Sequence, residues 1–136
     1  MNTLLHLGLV AFGSALGGMT RYVVGAGVAH ILGMAPHWGT MFINITGSLF
    51  LGWFSTMLAE VWTTAEHSWL HAHAEQCRLL IAVGFTGGYT TFSSFEGETY
   101  GLFRDGSTWS AIFYVTGSVF LGLIAFRMGM LVAGAK

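Results

Sequence analysis

Thr40, Asn44 and Ser48 recur four residues apart, so they share one face of any helix that carries them. Around them stand Met41, Phe42, Ile43, Leu49, Phe50 and Leu51, which makes them a polar stripe on an apolar segment. Asn offers two N–H donors and each hydroxyl one more, and none of these groups carries positive charge. A donor-rich, uncharged stripe suits a small anion that must shed part of its water and then leave, since a fixed cation holds it too tightly. The same groups also serve as packing glue between membrane helices. The stripe alone does not separate the two readings.

A second constellation lies at Phe92, Phe95 and Glu98, spaced i, i+3, i+6, with Thr90, Thr91, Ser93 and Ser94 interleaved. Aromatic ring edges are electropositive, so they can face an anion without trapping it; the polar neighbours favour this over plain apolar filler. Tyr114 and Ser118, four residues apart, offer hydroxyls to the same lining. The run Gly84-Phe-Thr-Gly-Gly-Tyr-Thr-Thr-Phe-Ser-Ser-Phe95 interrupts an apolar segment with adjacent glycines and hydroxyl residues. Irregular backbone at membrane depth is tolerated only where protein buries it or a polar cavity borders it. Such breaks often hold ion sites, and carbonyls freed between Gly84 and Thr91 are hard ligands for an alkali cation. Arg21 and Glu98 are charges inside apolar segments, where ionisable groups are costly and usually paired or functional; Arg21 alternatively snorkels to an interface. The connector from Glu66 to Glu75 carries His67, His71 and His73, acceptable zinc ligands, although a solvated surface loop is the plainer reading.

These residues need elements to hold them, and composition says which kind. Of 136 residues, 54% are hydrophobic and 8% charged, against about 25% charged in soluble domains. The mean hydropathy is +0.66. This is the profile of an all-α integral membrane protein. Four apolar segments, about 4–32, 39–58, 78–103 and 109–132, are each long enough to cross roughly 30 Å of hydrocarbon, with the third broken near its middle. They form one domain over 1–136. No cationic segment or cleavage site precedes the first run, so it is expected to remain as a span. The single Cys77 leaves no internal disulfide, and a net charge of −1 gives no case for nucleic acid.

Small residues at Gly13 and Gly17, Ser48 and Gly52, and Ser118 and Gly122 allow close helix contact. Four spans are few for enclosing a polar path, so an oligomer is expected. With four spans, Arg78, Arg127 and Lys136 fall on one side and Arg104 and Arg21 on the other. That leaves little Lys/Arg asymmetry to fix orientation, and points to an antiparallel, dual-topology homodimer in the membrane lipid.

In motif order, the chain resembles the Fluc (CrcB) family of small bacterial fluoride channels. The matching stretches are Gly17-Gly18-Met19-Thr20-Arg21-Tyr22, Trp38-Gly39-Thr40-Met41-Phe42-Ile43-Asn44, and the run from Gly84 to Phe95. The resemblance implies two fluoride pores in an antiparallel homodimer of the cell inner membrane. It makes Asn44 the pore asparagine and Phe92 and Phe95 the phenylalanines that face fluoride. Thr40, Ser94, Tyr114 and Ser118 then stand at polar pore positions, with Arg21 near the vestibule and Glu98 the acidic residue after the Phe pair. Gly87 and Thr90 give carbonyls to a structural, non-transported sodium ion on the dimer axis. Three features depart from the pattern: Glu96, Gly122 in place of a hydroxyl, and the long His-rich connector.

The resulting expectation is passive fluoride export, driven by an inside-negative potential worth ~2.3 kcal/mol per charge per 100 mV. Two other classes compete. A four-span proton-coupled exporter of organic cations needs an acid in its binding chamber, commonly in the first span, and here that span has Arg21 and no acid. A non-transporting assembly subunit leaves the polar stripe and the interrupted segment without a purpose. No nucleophile–base pair or phosphate loop supports an enzyme.

Overall fold

The computed structural model describes residues 3–62 and 68–134. Among these, every regular element is helical. Helix α1 runs Thr3–Leu32, α2 Pro36–Thr56, α3 Ser68–Cys77, α4 Gly87–Tyr89, α5 Phe92–Arg104 and α6 Thr108–Val132. Two stretches, Met57–Trp62 after α2 and Arg78–Thr86 between α3 and α4, wind more widely as π-helix. In the second, the Thr86 hydroxyl reaches back five residues to the Ile81 carbonyl (3.0 Å), in keeping with the wider i→i+5 turn.

Helix ends follow from local chemistry. Gly33, at φ +61°, stops α1 in the left-handed conformation that glycine adopts without strain. Pro36 then opens α2 after an extended Ala35, its fixed φ suiting a first helical turn and its missing N–H costing nothing there. The second apolar segment, expected from about residue 39, therefore starts three residues earlier as helix. Gly106, at φ +77°, closes the turn between α5 and α6.

Three stretches are long and apolar enough to cross a membrane: Thr3–Ile31, Pro36–Glu60 and Thr108–Val132. Residues 78–103 do not form one continuous helix, because Thr90 and Thr91 are extended (ψ 159° and 124°) between α4 and α5. Phe12, Tyr22, Phe113, Phe120, Leu123 and Val132 point outward, while Thr40, Thr56, Thr86 and Ser118 are buried. This inversion of the usual pattern is that of a chain solvated by lipid.

The most extensive helix pair is α2 with α6, and α1 lies along Arg78–Thr86. The small residues make both approaches possible. A Cβ on Gly52 would strike the Phe126 carbonyl, and one on Gly129 the Leu49 carbonyl. A Cβ on Gly13 or Gly17 would strike the carbonyls of Leu80 or Phe85. The Gly13/Gly17 pair is thus used within the chain. We expect Gly52→Leu to destabilise the protein by at least about 3 kcal/mol, the upper end of overpacking costs, because the neighbour is backbone and cannot move aside. Gly27→Ala, which meets nothing within 4 Å, serves as control. Thermal unfolding in detergent checks this, and equal melting points for the two variants contradict it.

Candidate functional site

The site is built around the two extended threonines. An α-helix would pair the Thr91 N–H with the Gly87 carbonyl. Here that N–H donates instead to Asn44 Oδ1 (2.9 Å), and Asn44 Nδ2 donates to the Thr91 carbonyl (3.1 Å). One amide on α2 therefore satisfies both main-chain groups of a residue that the interruption would otherwise strand in apolar surroundings. Asn44 retains a second N–H for another acceptor. Its expected donor role and this clamp are compatible. Thr91 in turn caps α5: its Oγ1 accepts from the Ser94 N–H (3.2 Å) and donates to Ser94 Oγ (3.1 Å).

Arg21 reaches the same place from α1, its Nη1 donating to the Thr90 carbonyl (3.3 Å). Thr46 of α2 holds the other flank through a hydroxyl contact with Tyr89 (2.9 Å). Gly87 and Thr90 border one groove of about 320 Å³, together with Asn44, Ser48, Thr86 and Phe92. Gly87 has lost its usual helical donor to Asn44, whereas the Thr90 carbonyl accepts from Arg21.

Further along, Glu98 of α5 gathers two hydroxyls. Thr40 donates to Oε1 (2.8 Å) and Tyr114 to Oε2 (2.7 Å), tying α2, α5 and α6 together. Beside this chain runs a row of rings. Phe92 and Phe95 have centroids 5.9 Å apart, Phe95 and Tyr114 5.2 Å, and Tyr114 and His37 5.4 Å. Phe95 is 8% exposed and Phe92 73%, so one ring is packed inside the chain and the other projects from it. One turn beyond Tyr114 on α6, the Ser118 hydroxyl is buried and makes no hydrogen bond with the described residues. Ser48 Oγ lies 3.6 Å from where a Gly122 Cβ would stand, so a hydroxyl from α2 borders that point of the row.

Of the residues singled out from sequence, Arg21, Thr40, Asn44, Ser94, Phe95, Glu98 and Tyr114 are thus joined directly or through Thr90 and Thr91. Glu96 is exposed. Glu66 and His67 lie outside the described residues, as do Lys136 and the side chain of His71; among the described residues no group of three or more His, Cys, Asp or Glu is placed to hold a metal. Sequence reasoning reads Thr91 only as a polar neighbour of the Phe pair and misses its pairing with Asn44. Its signal was present: a helix interruption inside apolar sequence needs a partner with both donor and acceptor, and Asn44 is such a group.

Residues 8–130 match the family model described as CrcB-like protein, Camphor Resistance (CrcB). The chain belongs to the CrcB-like family. Among CrcB relatives, a Nitrobacter winogradskyi protein named Fluoride-specific ion channel FluC is 42% identical over 127 residues, covering 93% of this chain and 90% of that one. Proteins of the same name from Thermus thermophilus and Solibacter usitatus are each 40% identical, over 93% and 92% of this chain and 92% and 95% of theirs. Together with three membrane-length apolar stretches, membership makes this CrcB-like chain a multi-pass membrane protein of a transport family.

Proposed function

We propose that this protein is a fluoride-specific channel that lets fluoride leave the cell passively. The observation that carries it is the Ser118 hydroxyl, buried and without a hydrogen-bond partner among the described residues, one turn from Tyr114 in a row of uncharged hydroxyls and ring edges. An orphaned buried donor loses about 1–3 kcal/mol, and a passing anion relieves that cost transiently. Relatives named as fluoride channels supply the identity of the anion. In this reading Asn44, Ser94, Ser118, Phe92 and Phe95 replace part of the water shell of fluoride, while Thr40 and Tyr114 line the same path and join in by turning their single protons from Glu98 to the ion. Ser48 supplies the hydroxyl that Gly122 lacks, and Glu98 orients Thr40 and Tyr114. Larger chloride fits the narrow path poorly.

The working unit in this reading is an antiparallel homodimer, with residues 78–103 as a fourth, broken membrane span. Two grooves lined partly by polar groups, and the exposed hydroxyl residues Ser93 and Ser94, are costly against lipid, and in this reading a second copy covers them. Two carbonyls are a partial shell for an alkali ion; a twofold mate doubles the set. Gly87 and Thr90 of both copies would then hold a structural sodium ion on the axis. We expect purified protein to have twice the 14.6 kDa chain mass by light scattering, and to melt at lower temperature when N-methylglucamine replaces sodium. A monomer, or a melting point indifferent to sodium, contradicts the assignment.

An organic-cation exporter is tested by coupling. The reversal potential of the fluoride current in planar bilayers is expected to follow the fluoride gradient alone and to stay fixed when a proton gradient is imposed. A reversal potential that shifts with the proton gradient would favour the exporter.

A further inference from the structure

A second groove, of about 540 Å³, also reaches Thr91 and is bordered by Arg21, His30, Thr40, Ser94 and Glu98. It leads from the end of α1 to the Asn44–Thr91 clamp, so it is the vestibule of the proposed pore. Its formal charges are instructive. Arg21 contributes +1 and Glu98 −1, which cancel, and the remaining titratable groups bordering it are His30 and the neutral phenol of Tyr22. From α2 the adjacent ionisable group is His37, next to Pro36 and packed against Tyr114; from α6 it is Tyr114, bonded to Glu98. His30 is exposed at the mouth, and imidazole is the side chain that ordinarily changes charge between pH 5 and 8.

We propose that His30 sets the sign of this vestibule, and that its protonation draws fluoride in from the adjoining solution. The inference rests on the channel reading above. As neutral imidazole it leaves the groove without net charge; as imidazolium it gives the groove a net +1, placed at exposed His30 about 13 Å along α1 from Arg21, an entry site for a small inorganic anion. A single charge within a Debye length of the mouth enriches a monovalent anion by about two- to threefold at physiological ionic strength. The site therefore works as an acid-responsive entry, raising uptake into the pore from the more acidic side.

The test is electrical recording in planar bilayers with symmetric sodium fluoride, because undissociated acid crossing the lipid carries no current. Lowering the pH of one chamber from 8 to 5.5 is expected to raise the fluoride current entering from that side about two- to threefold. In His30→Gln and His30→Lys the current is expected to be independent of pH; in His37→Gln the response is expected to persist. A wild-type current indifferent to pH, or a response that survives in His30→Gln or is lost in His37→Gln, overturns the assignment to His30. No fluoride current at any pH overturns the channel reading, and this one with it. A second readout does not need conduction: in detergent, sodium fluoride is expected to raise the NMR titration midpoint of the His30 imidazole relative to sodium gluconate, since coupling between proton and anion is reciprocal. An unchanged midpoint contradicts the entry site.

Discussion

Phe92→Ile is expected to cut fluoride flux at least about 30-fold while leaving the protein folded. The magnitude takes the loss of one ring-edge contact to a partly dehydrated ion as equivalent to a desolvated charge–ring contact of about 2 kcal/mol. Isoleucine keeps apolar bulk but offers no electropositive edge. The ring is 73% exposed in the single chain, so its removal opens no cavity in the chain's own core. Phe95→Ile is expected to block flux as well, with some loss of stability, because that ring is packed against Tyr114. Fluoride efflux from liposomes, read beside the gel-filtration profile, separates the two effects. Wild-type flux in either variant removes the Phe pair from the pore.

The second large effect is expected at Asn44. Asn44→Ala strands the N–H and the carbonyl of Thr91 together, each costing about 1–3 kcal/mol when buried, so both stability and flux should fall. Asn44→Asp is the sharper variant. It preserves shape and the acceptor facing the Thr91 N–H, but turns the donor facing the Thr91 carbonyl into an acceptor and adds negative charge where an anion passes. We expect it to fold, to melt lower, and to conduct no fluoride. Unimpaired conduction by Asn44→Asp would show that neither the clamp nor the donor matters.

Composition made the lipid-solvated, all-helical character legible, because a chain with 8% charged residues cannot clothe itself for water. The four-residue spacing of Thr40, Asn44 and Ser48 was equally readable, since a helix converts spacing into a shared face. Less was visible in what each side chain binds. Asn44 reads as a free donor in sequence, whereas the structure engages it with Thr91; that pairing spans 47 positions and depends on where the chain folds back. Glu98 reads as an isolated charge, yet two hydroxyls from separate helices converge on it. The Gly13/Gly17 spacing announces close approach but not the partner, which is Arg78–Thr86 of the same chain. The π-helical winding there has no local sequence signal, because any apolar helical run satisfies its backbone almost as well with narrower turns.

The account stands on selectivity by uncharged donors and ring edges, and one comparison reaches it most directly. Purified protein in liposomes, loaded with fluoride or with chloride and polarised by a potassium gradient with valinomycin, is followed with the matching ion-selective electrode. Rapid fluoride loss with chloride release no faster than from protein-free vesicles is the predicted result. Equal loss of both halides, or retention of both, would contradict it.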